Sequence, residues 1–252
     1  MKTSVTIAVS CTWFQKRLCW MLSSLLRQND HGNKPEIVFD VAYPINNGNP
    51  TTEQVCSFFR NLGLEIIETP YDGMEIIQFR GLVRNRQITQ CKTEWILFAD
   101  TDMVYDQDFF DDLGIQLSKE LKDETKVISA RRVSLDKEFC KNFFNIEDSM
   151  TYPYYVQDPS QICSKWPIYQ ISRNIGAGYF QLANMKSVKN HGGIYVDPEH
   201  NSDWSWDRMQ KASSDRQFRR RMGGIKRIKT KPQYHLNHER DNESGKHLTI
   251  QR

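Results

Sequence analysis

Trp95-Ile96-Leu97-Phe98-Ala99-Asp100-Thr101-Asp102-Met103-Val104-Tyr105 is the stretch on which the reading of this chain turns. Its first five residues are apolar without alternation, which predicts a strand buried on both faces, as at the centre of an α/β sheet. The run stops at Asp100-Thr101-Asp102, and the carboxyl ends of strands are where ligands enter such sheets. Two carboxylates two residues apart repel each other unless a cation lies between or beside them. Hard oxygen ligands suit Mg²⁺ or Mn²⁺ carrying phosphate groups. The plainer alternative is a polar turn after a core strand, since Asp is a common turn residue.

The totals allow such a core. The chain has 252 residues, 38% hydrophobic and 12% aromatic, enough for one large α/β domain or two small ones. A net charge of +3 makes no global case for nucleic-acid binding. Cys11, Cys19, Cys56, Cys91, Cys140 and Cys163 show no CxxC pair and no zinc spacing. They read as reduced residues in mostly apolar surroundings, which points to a reducing, cytoplasmic compartment. Residues 1–11 superficially resemble a secretion signal, but the apolar run is too short, so they read as the first strand. No apolar stretch approaches a membrane-spanning length, so no membrane association is expected.

Outward from the central strand, the pattern alternates. Ser4 to Ser10 is β-branched and reads as a strand; Lys16 to Gln28 carries Leu18, Met21, Leu22, Leu25 and Leu26 at helical spacing. Glu36 to Ala42 is a second strand, and Pro44 to Pro50 a loop. A helix capped by Thr51 or Thr52 runs to Gly63, and Leu64 to Thr69 is a third strand ended by Pro70. Met74 to Cys91 reads as a helix interrupted near Gly81 and feeds the Trp95 strand. Beyond it come a helix from Asp108 to Lys122, a strand from Lys126 to Val133 and an aromatic-rich excursion from Phe139 to Pro167. A strand from Gly176 to Met185, the His191-Gly192-Gly193 turn, a helix from Ser213 to Met222 and a last strand from Ile225 to Leu236 complete it. This β-α order implies a mostly parallel central sheet with helices on both faces, in a single domain spanning 1–252. The regular alternation covers residues 1–102, and the pattern loosens over 103–252.

A buried strand ending in Asp-x-Asp after three β-α units resembles the GT-A (Rossmann-like) fold of nucleotide-sugar-dependent glycosyltransferases. The resemblance implies that Asp100 and Asp102 hold a divalent metal, Mn²⁺ or Mg²⁺, on the donor diphosphate, with Asp100 also touching the donor. Gly81-Leu82-Val83-Arg84-Asn85 looks like the helix of family-2 enzymes whose Arg and Asn lie near the donor phosphates. Thr12 and Phe14, at the end of the first strand, match the place where the nucleoside rests. Asp40 matches the acid near the nucleotide base, although Val41-Ala42-Tyr43 follows it instead of a second acid, which leaves the nucleotide open; UDP is the commonest in the family. Ser214-Asp215-Arg216 with Gly223 resembles the motif whose acid is the general base of inverting enzymes, here Asp215, with Ser214 where a first acid usually stands. Asp203 and Asp207 are rivals for that role. His235-Leu236-Asn237-His238-Glu239-Arg240-Asp241 is similar to the C-terminal stretch of β-1,4-galactosyltransferases. There a His completes the metal site, which maps onto His238, with His235 three residues earlier as a substitute. Gly178, Trp204 and Trp206 match residues that wall the sugar and acceptor in that family. Each has a plainer reading: Arg84 and Asn85 as an exposed helix face, Asp215 as a first-turn acid, the tryptophans as core.

From Arg208 to Lys231 the chain carries ten basic residues, and Asp215 is the only acid among them. That stripe is able to contact phosphates without reading sequence. The plainer reading of the stripe is a solvated helix face that also binds donor phosphate; the other is an acceptor surface, for a glycan or for a polyanion such as DNA carrying a hydroxymethylated base in a viral genome. Two rivals share the observations. A sugar-1-phosphate nucleotidyltransferase of the same fold would need a Gly-rich loop after the first strand, and Cys11-Thr12-Trp13-Phe14 has no glycine. A non-catalytic sugar- or polyanion-binding module would leave the joint occurrence of Asp100, Asp102, Asp215 and His238 without a reason.

Overall fold

In the computed structural model, residues 2–12, 14–45, 51–71, 80–119, 121, 124–140, 168–171, 179–195 and 214–236 are described. The β-branched run at the start forms β1 (Ser4–Ser10), followed by α1 (Gln15–Leu26), β2 (Glu36–Pro44), α2 (Thr52–Asn61) and β3 (Glu65–Tyr71). Next come α3 (Arg80–Gln90), the expected buried strand β4 (Trp95–Ala99), β5 (Met103–Tyr105) and α4 (Phe109–Lys119). The second half adds β6 (Val127–Ser129), β7 (Arg132–Leu135), a one-turn α5 (Lys137–Phe139), β8 (Ile168–Ile171), β9 (Phe180–Asn184) and α6 (Met185–Asn190). It ends with α7 (Ser214–Arg221), β10 (Ile225–Arg227) and β11 (Gln233–His235).

Seven strands form the central sheet in the order β10-β6-β9-β4-β1-β2-β3. Only β9 runs against the others, so the mostly parallel sheet expected from the sequence is present. Period-2 geometry sorts the strand side chains into two layers. Val5, Ile7, Val9, Trp95, Leu97 and Ala99 pack with Leu18 of α1, Val55 of α2 and Leu113 of α4. Ala8, Ile96 and Phe98 pack with Ile88 of α3, Val188 of α6 and Phe218 of α7. Helices therefore cover both faces, and each fully buried large apolar side chain contributes about 1.5–3 kcal/mol.

A second sheet of four strands has the order β5-β11-β7-β8. It corrects two expectations. The strand expected over Lys126 to Val133 is two strands, β6 in the central sheet and β7 in the small one. The strand expected over Ile225 to Leu236 divides the same way into β10 and β11. In both cases the chain leaves one sheet and changes hydrogen-bonding partner within a few residues, which an alternating pattern does not reveal. Pro70 does not end β3, which continues to Tyr71. Among the described residues β3 pairs only with β2 and so stands at the edge of the sheet, where a missing N–H costs no ladder bond. Of the helix expected over Met74 to Cys91, Arg80–Gln90 is helical and residues 74–79 lie outside the described residues, and a helix follows β9 directly because the Asn184 side chain accepts from the N–H groups of Lys186 and Ser187.

Thr51 caps α2 through a capping box with Gln54, and Gly63 ends that helix region with φ of 102°. Cys11, Cys19, Cys56, Cys91 and Cys140 are buried; Cys163 lies outside the described residues. Among the described residues no helix is long and apolar enough to cross a membrane.

The 30–35 segment is held against α4 by Asp111, whose Oδ1 accepts from the N–H groups of His31 at 2.9 Å and Asn33 at 3.1 Å. One turn along α4, a Cβ on Gly114 would stand 1.8 Å from the Asn33 carbonyl oxygen. Backbone meets backbone there, so no rotamer can relieve the clash. Gly114→Ala should therefore destabilise the fold by about 1–3 kcal/mol, the usual cost of overpacking, read as a lower denaturant midpoint at unchanged slope. A midpoint equal to that of the parent protein would contradict this close approach.

Candidate functional site at the end of the central strand

Asp100, Thr101 and Asp102 follow β4 and form the connection to β5. Thr101 and Asp102 are buried, whereas Asp100 is half-exposed. Strand β11 returns to this connection: the Leu236 N–H donates to the Asp102 carbonyl at 2.9 Å. Its side chain His235 brings Nε2 to 3.2 Å from Asp102 Oδ2. A carboxylate oxygen and an imidazole nitrogen at that separation fit two ligands of one ion, and both donor types suit Mn²⁺. Among the described residues no third His, Cys, Asp or Glu joins them into a set of three. His238, the expected ligand, lies outside the described residues. The structure thus brings the earlier imidazole, His235, to Asp102. Tyr105, buried two residues after β5 begins, has its pKa pushed up by burial and then by the charges of Asp100 and Asp102. Among the described residues its hydroxyl has no hydrogen-bond partner.

On the other side of β4, α3 lays Val83, Arg84, Gln87 and Ile88 against the sheet, a spacing that follows from helical periodicity. Arg84 is 4% exposed and so is core, not the exposed helix residue that its charge would suggest. Its guanidinium lies over the rings of Phe98 and Tyr195, 5.4 and 4.8 Å from their centroids. It donates to Asp215 Oδ1 at 2.7 Å and to the Tyr195 hydroxyl. The Tyr195 hydroxyl also lies 2.6 Å from Asp215 Oδ1. Burial works against the charge of Arg84, but Tyr195, Asp215 and Asp100 outweigh it and raise its pKa above the ordinary value. Asn85 accepts a hydrogen bond from the Tyr195 N–H, and the Tyr195 hydroxyl also lies within hydrogen-bond distance of Gln181 Oε1 of β9.

Asp215 sits in the first turn of α7, as the plainer reading supposed. Yet its carboxylate is directed at α3 and at Tyr195, outside its own helix. Phe98, Tyr195 and Phe218 enclose the pair: Tyr195 stacks on Phe218 at 4.5 Å and 18°, and Phe98 meets both rings edge-on. Tyr195 and Gln181 were not singled out in the sequence. Tyr195 follows the His191-Gly192-Gly193 turn with no periodic signal, whereas Gln181 carried one, a polar residue between apolar Phe180 and Leu182.

The remaining expected residues divide. Thr12 and Phe14 lie at the carboxyl end of β1, and the Arg17 guanidinium covers the Phe14 ring at 4.5 Å. Asp40 is not at a strand end: it lies within β2, is 1% exposed and accepts from Thr69 Oγ1 at 3.4 Å. Gln87 of α3 donates to its backbone carbonyl at 3.2 Å. The carboxylate expected at the nucleotide is therefore enclosed between β2, β3 and α3. Gly178, Trp204, Trp206, Asp203 and Asp207 lie outside the described residues. So do Arg208 and Lys211 of the basic stripe. Within the rest of the stripe, Arg219 and Arg221 donate to the carbonyls of Asp215 and Ile194, and Lys226 pairs with Glu124. Arg216, Arg220, Arg227, Lys229 and Lys231 are exposed.

No protein-family model and no curated protein sequence matches the chain. Solved structures do. The crystal structure of S. aureus TarS 1–349 in complex with UDP matches with a TM-score of 0.60 at 15% identity, over 98% of this chain and 63% of that one. The corresponding complex with UDP-GlcNAc gives 0.58 at 13% identity, over 96% and 59%. A further structure of S. aureus TarS gives 0.58 at 16%, over 93% and 36%. The chain thus spans less than two thirds of the length of each TarS structure. The match is one of fold: the mostly parallel α/β sheet flanked by helices, the GT-A-like architecture, is shared.

Burial raises the Asp40 pKa from 3.8 to about 6, against the lowering effect of hydrogen bonds from Gln87 and Thr69. A carboxyl whose folded pKa is raised contributes stability that is complete below its unfolded pKa, and this is lost as pH rises through the folded value. The loss amounts to roughly 3 kcal/mol once pH passes about 6, at 1.36 kcal/mol per unit. Asp40→Asn, which holds no charge, should accordingly gain in melting temperature over the parent protein between pH 4 and pH 7.5, in matched scans at about 0.1 M salt. A constant difference across that range would mean that Asp40 titrates normally.

Proposed function

We propose that the chain is a metal-dependent inverting glycosyltransferase. It moves a sugar from a nucleotide-sugar, with UDP the favoured nucleotide, to an acceptor hydroxyl. The observation that carries the reading is the meeting of Asp102 and His235 at the end of β4, on a fold shared with structures that hold UDP and UDP-GlcNAc. Residues 1–102 supply the donor half and 103–252 the acceptor half. Asp102 and His235 hold the divalent ion, with Asp100 beside them and His238 in the following residues. The ion, when bound, neutralises the charge that gathers on the diphosphate as it leaves.

The rest is done by the chain's own residues. Thr12 and Phe14, at the end of β1, flank the nucleoside, and Asn85 lies on the helix face turned toward Tyr195. Asp215 takes the proton of the acceptor hydroxyl while that oxygen forms its bond to the anomeric carbon. The bond from that carbon to the diphosphate oxygen breaks with its electron pair, and the nucleoside diphosphate leaves from the opposite face. Arg84 is 2.7 Å from Asp215 Oδ1 and so fixes the carboxylate in place while sharing its charge. This gives Arg84 the base as its partner, where the resemblance had implied the donor phosphates. The exposed arginines and lysines of the stripe suit an acceptor that is a glycan bearing negative charge or a nucleic acid.

A thermal-shift series with nucleoside diphosphates tests the reading. UDP with Mn²⁺ should raise the melting temperature more than UDP alone, since a ligand at 100 times its Kd adds about 2.7 kcal/mol. Asp102→Asn should lose that metal-dependent increment and most UDP release from a UDP-sugar, while its far-ultraviolet circular dichroism stays that of the parent. An Asp102→Asn variant with full turnover would end the proposal. Pyrophosphate release from a nucleoside triphosphate and a sugar phosphate would replace it with the nucleotidyltransferase reading.

A further inference from the structure

We propose that Tyr195 is a positioning residue for Asp215: its single phenol proton is directed to the Asp215 carboxylate before proton transfer and swings to the Gln181 carbonyl after it. The inference rests on the reading of Asp215 as the base and adds a part that the reading does not contain.

A phenol has one proton to donate and an oxygen able to accept. The Tyr195 oxygen already accepts from Arg84. Two acceptors compete for its proton, Asp215 Oδ1 at 2.6 Å and Gln181 Oε1. An ionised carboxylate is the stronger acceptor, so the proton belongs to Asp215 while that group is charged. Once Asp215 has taken the acceptor's proton, it is neutral, and the amide carbonyl competes on equal terms. Rotation about the phenol C–O bond then transfers the hydrogen bond to Gln181. No bond to carbon forms or breaks, and Tyr195 stays neutral throughout, as its burial requires.

The surroundings allow that rotor to turn and little else to move. The ring is stacked on Phe218 and braced edge-on by Phe98. The Tyr195 N–H is held by Asn85, and Gln181 Nε2 lies 3.4 Å from the Asp215 carbonyl oxygen. Among the described residues, the charged and titratable groups facing Asp215 include Arg84 from α3 and Tyr195 from the segment after α6. Arg219 on its own helix donates to its carbonyl, and Asp100 after β4 acts electrostatically on Arg84. Arg84 donates to Asp215 before and after the transfer, so it offers no switch; Tyr195 does.

Two near-isosteric variants separate this from simple packing. Tyr195→Phe keeps the ring and loses the hydroxyl, so the charged carboxylate loses a donor and its proton affinity rises. Gln181→Met removes the acceptor needed only after protonation, so the proton affinity falls. The readout is the pH titration of the Asp215 side-chain carbon in carbon-13-aspartate-labelled protein, its signal identified by disappearance in Asp215→Asn. The midpoint should rise by about one pH unit in Tyr195→Phe and fall in Gln181→Met, because the two losses act on opposite protonation states. UDP release from UDP-GlcNAc should drop about tenfold or more in Tyr195→Phe, as expected for losing a hydrogen bond to a charged group. An unmoved midpoint in Tyr195→Phe, or midpoints that move in the same direction, would overturn the proposal. If Tyr195→Phe does not fold, Gln181→Met decides alone, and an unmoved or raised midpoint there overturns it. Asp215→Asn tests the base separately: an active variant ends both readings, whereas an inactive one with an unmoved Tyr195→Phe midpoint ends only this inference.

Discussion

Strand β4 has no side that faces water. Trp95, Leu97 and Ala99 require one helical layer, and Ile96 and Phe98 require the other. Everything else follows from supplying both covers at once: β1 and β9 flank the strand, α1, α2 and α4 close one face, and α3, α6 and α7 close the other. A strand enclosed in this way cannot slip by one residue without exchanging its two layers. Its last residue is therefore fixed, and with it the place where the chain turns polar. Asp100 and Asp102 are where they are because the five residues before them have nowhere else to go.

The polar groups around that point form two units on either side of one charge. Asp102 and His235 stand on the side of the small sheet, while Arg84, Asp215, Tyr195 and Gln181 stand on the side of α3 and α7. Asp100 acts electrostatically on both, raising the pKa of Tyr105 in one and of Arg84 in the other. The Arg84–Asp215 pair is not a stability device in the ordinary sense, since desolvating two ions offsets most of what their attraction returns. What it provides is direction. The carboxylate is held by a guanidinium and a phenol, each packed against aromatic rings, and in the proposed role of base it would gain from being held in one geometry beforehand.

How much of this was legible in the sequence depends on what carries the signal. The alternation of strands and helices in the first 102 residues was readable because each element is long enough to show its period. β1 was placed to the residue, and β2 and α2 to within two at either end. Two of the errors share one cause: Lys126 to Val133 and Ile225 to Leu236 keep a single alternating pattern while the chain changes sheets, and pattern does not encode partner. At the site, Asp102, Arg84, Asn85 and Asp215 could be named because their spacing matched known motifs. Their partners could not. That Arg84 reaches Asp215, 131 positions away, and that Tyr195 joins them, is tertiary information. Asp40 shows the converse: a carboxylate chosen for its place in the order of strands proved to be enclosed by Thr69 and Gln87 of neighbouring elements.

The chain passes from the large sheet to the small one three times, at 100–102, at 130–131 and at 228–232, leaving β4, β6 and β10 to enter β5, β7 and β11. Each passage is between two and five residues long, and the three departing strands run in the same direction. The two sheets are thus sewn together by a row of short stitches. Sliding one over the other would stretch all three at once, whereas a single long loop would have given way. Because the first stitch contains Asp102 and the third leads directly into His235, the gap between carboxylate and imidazole is gauged by the seam itself.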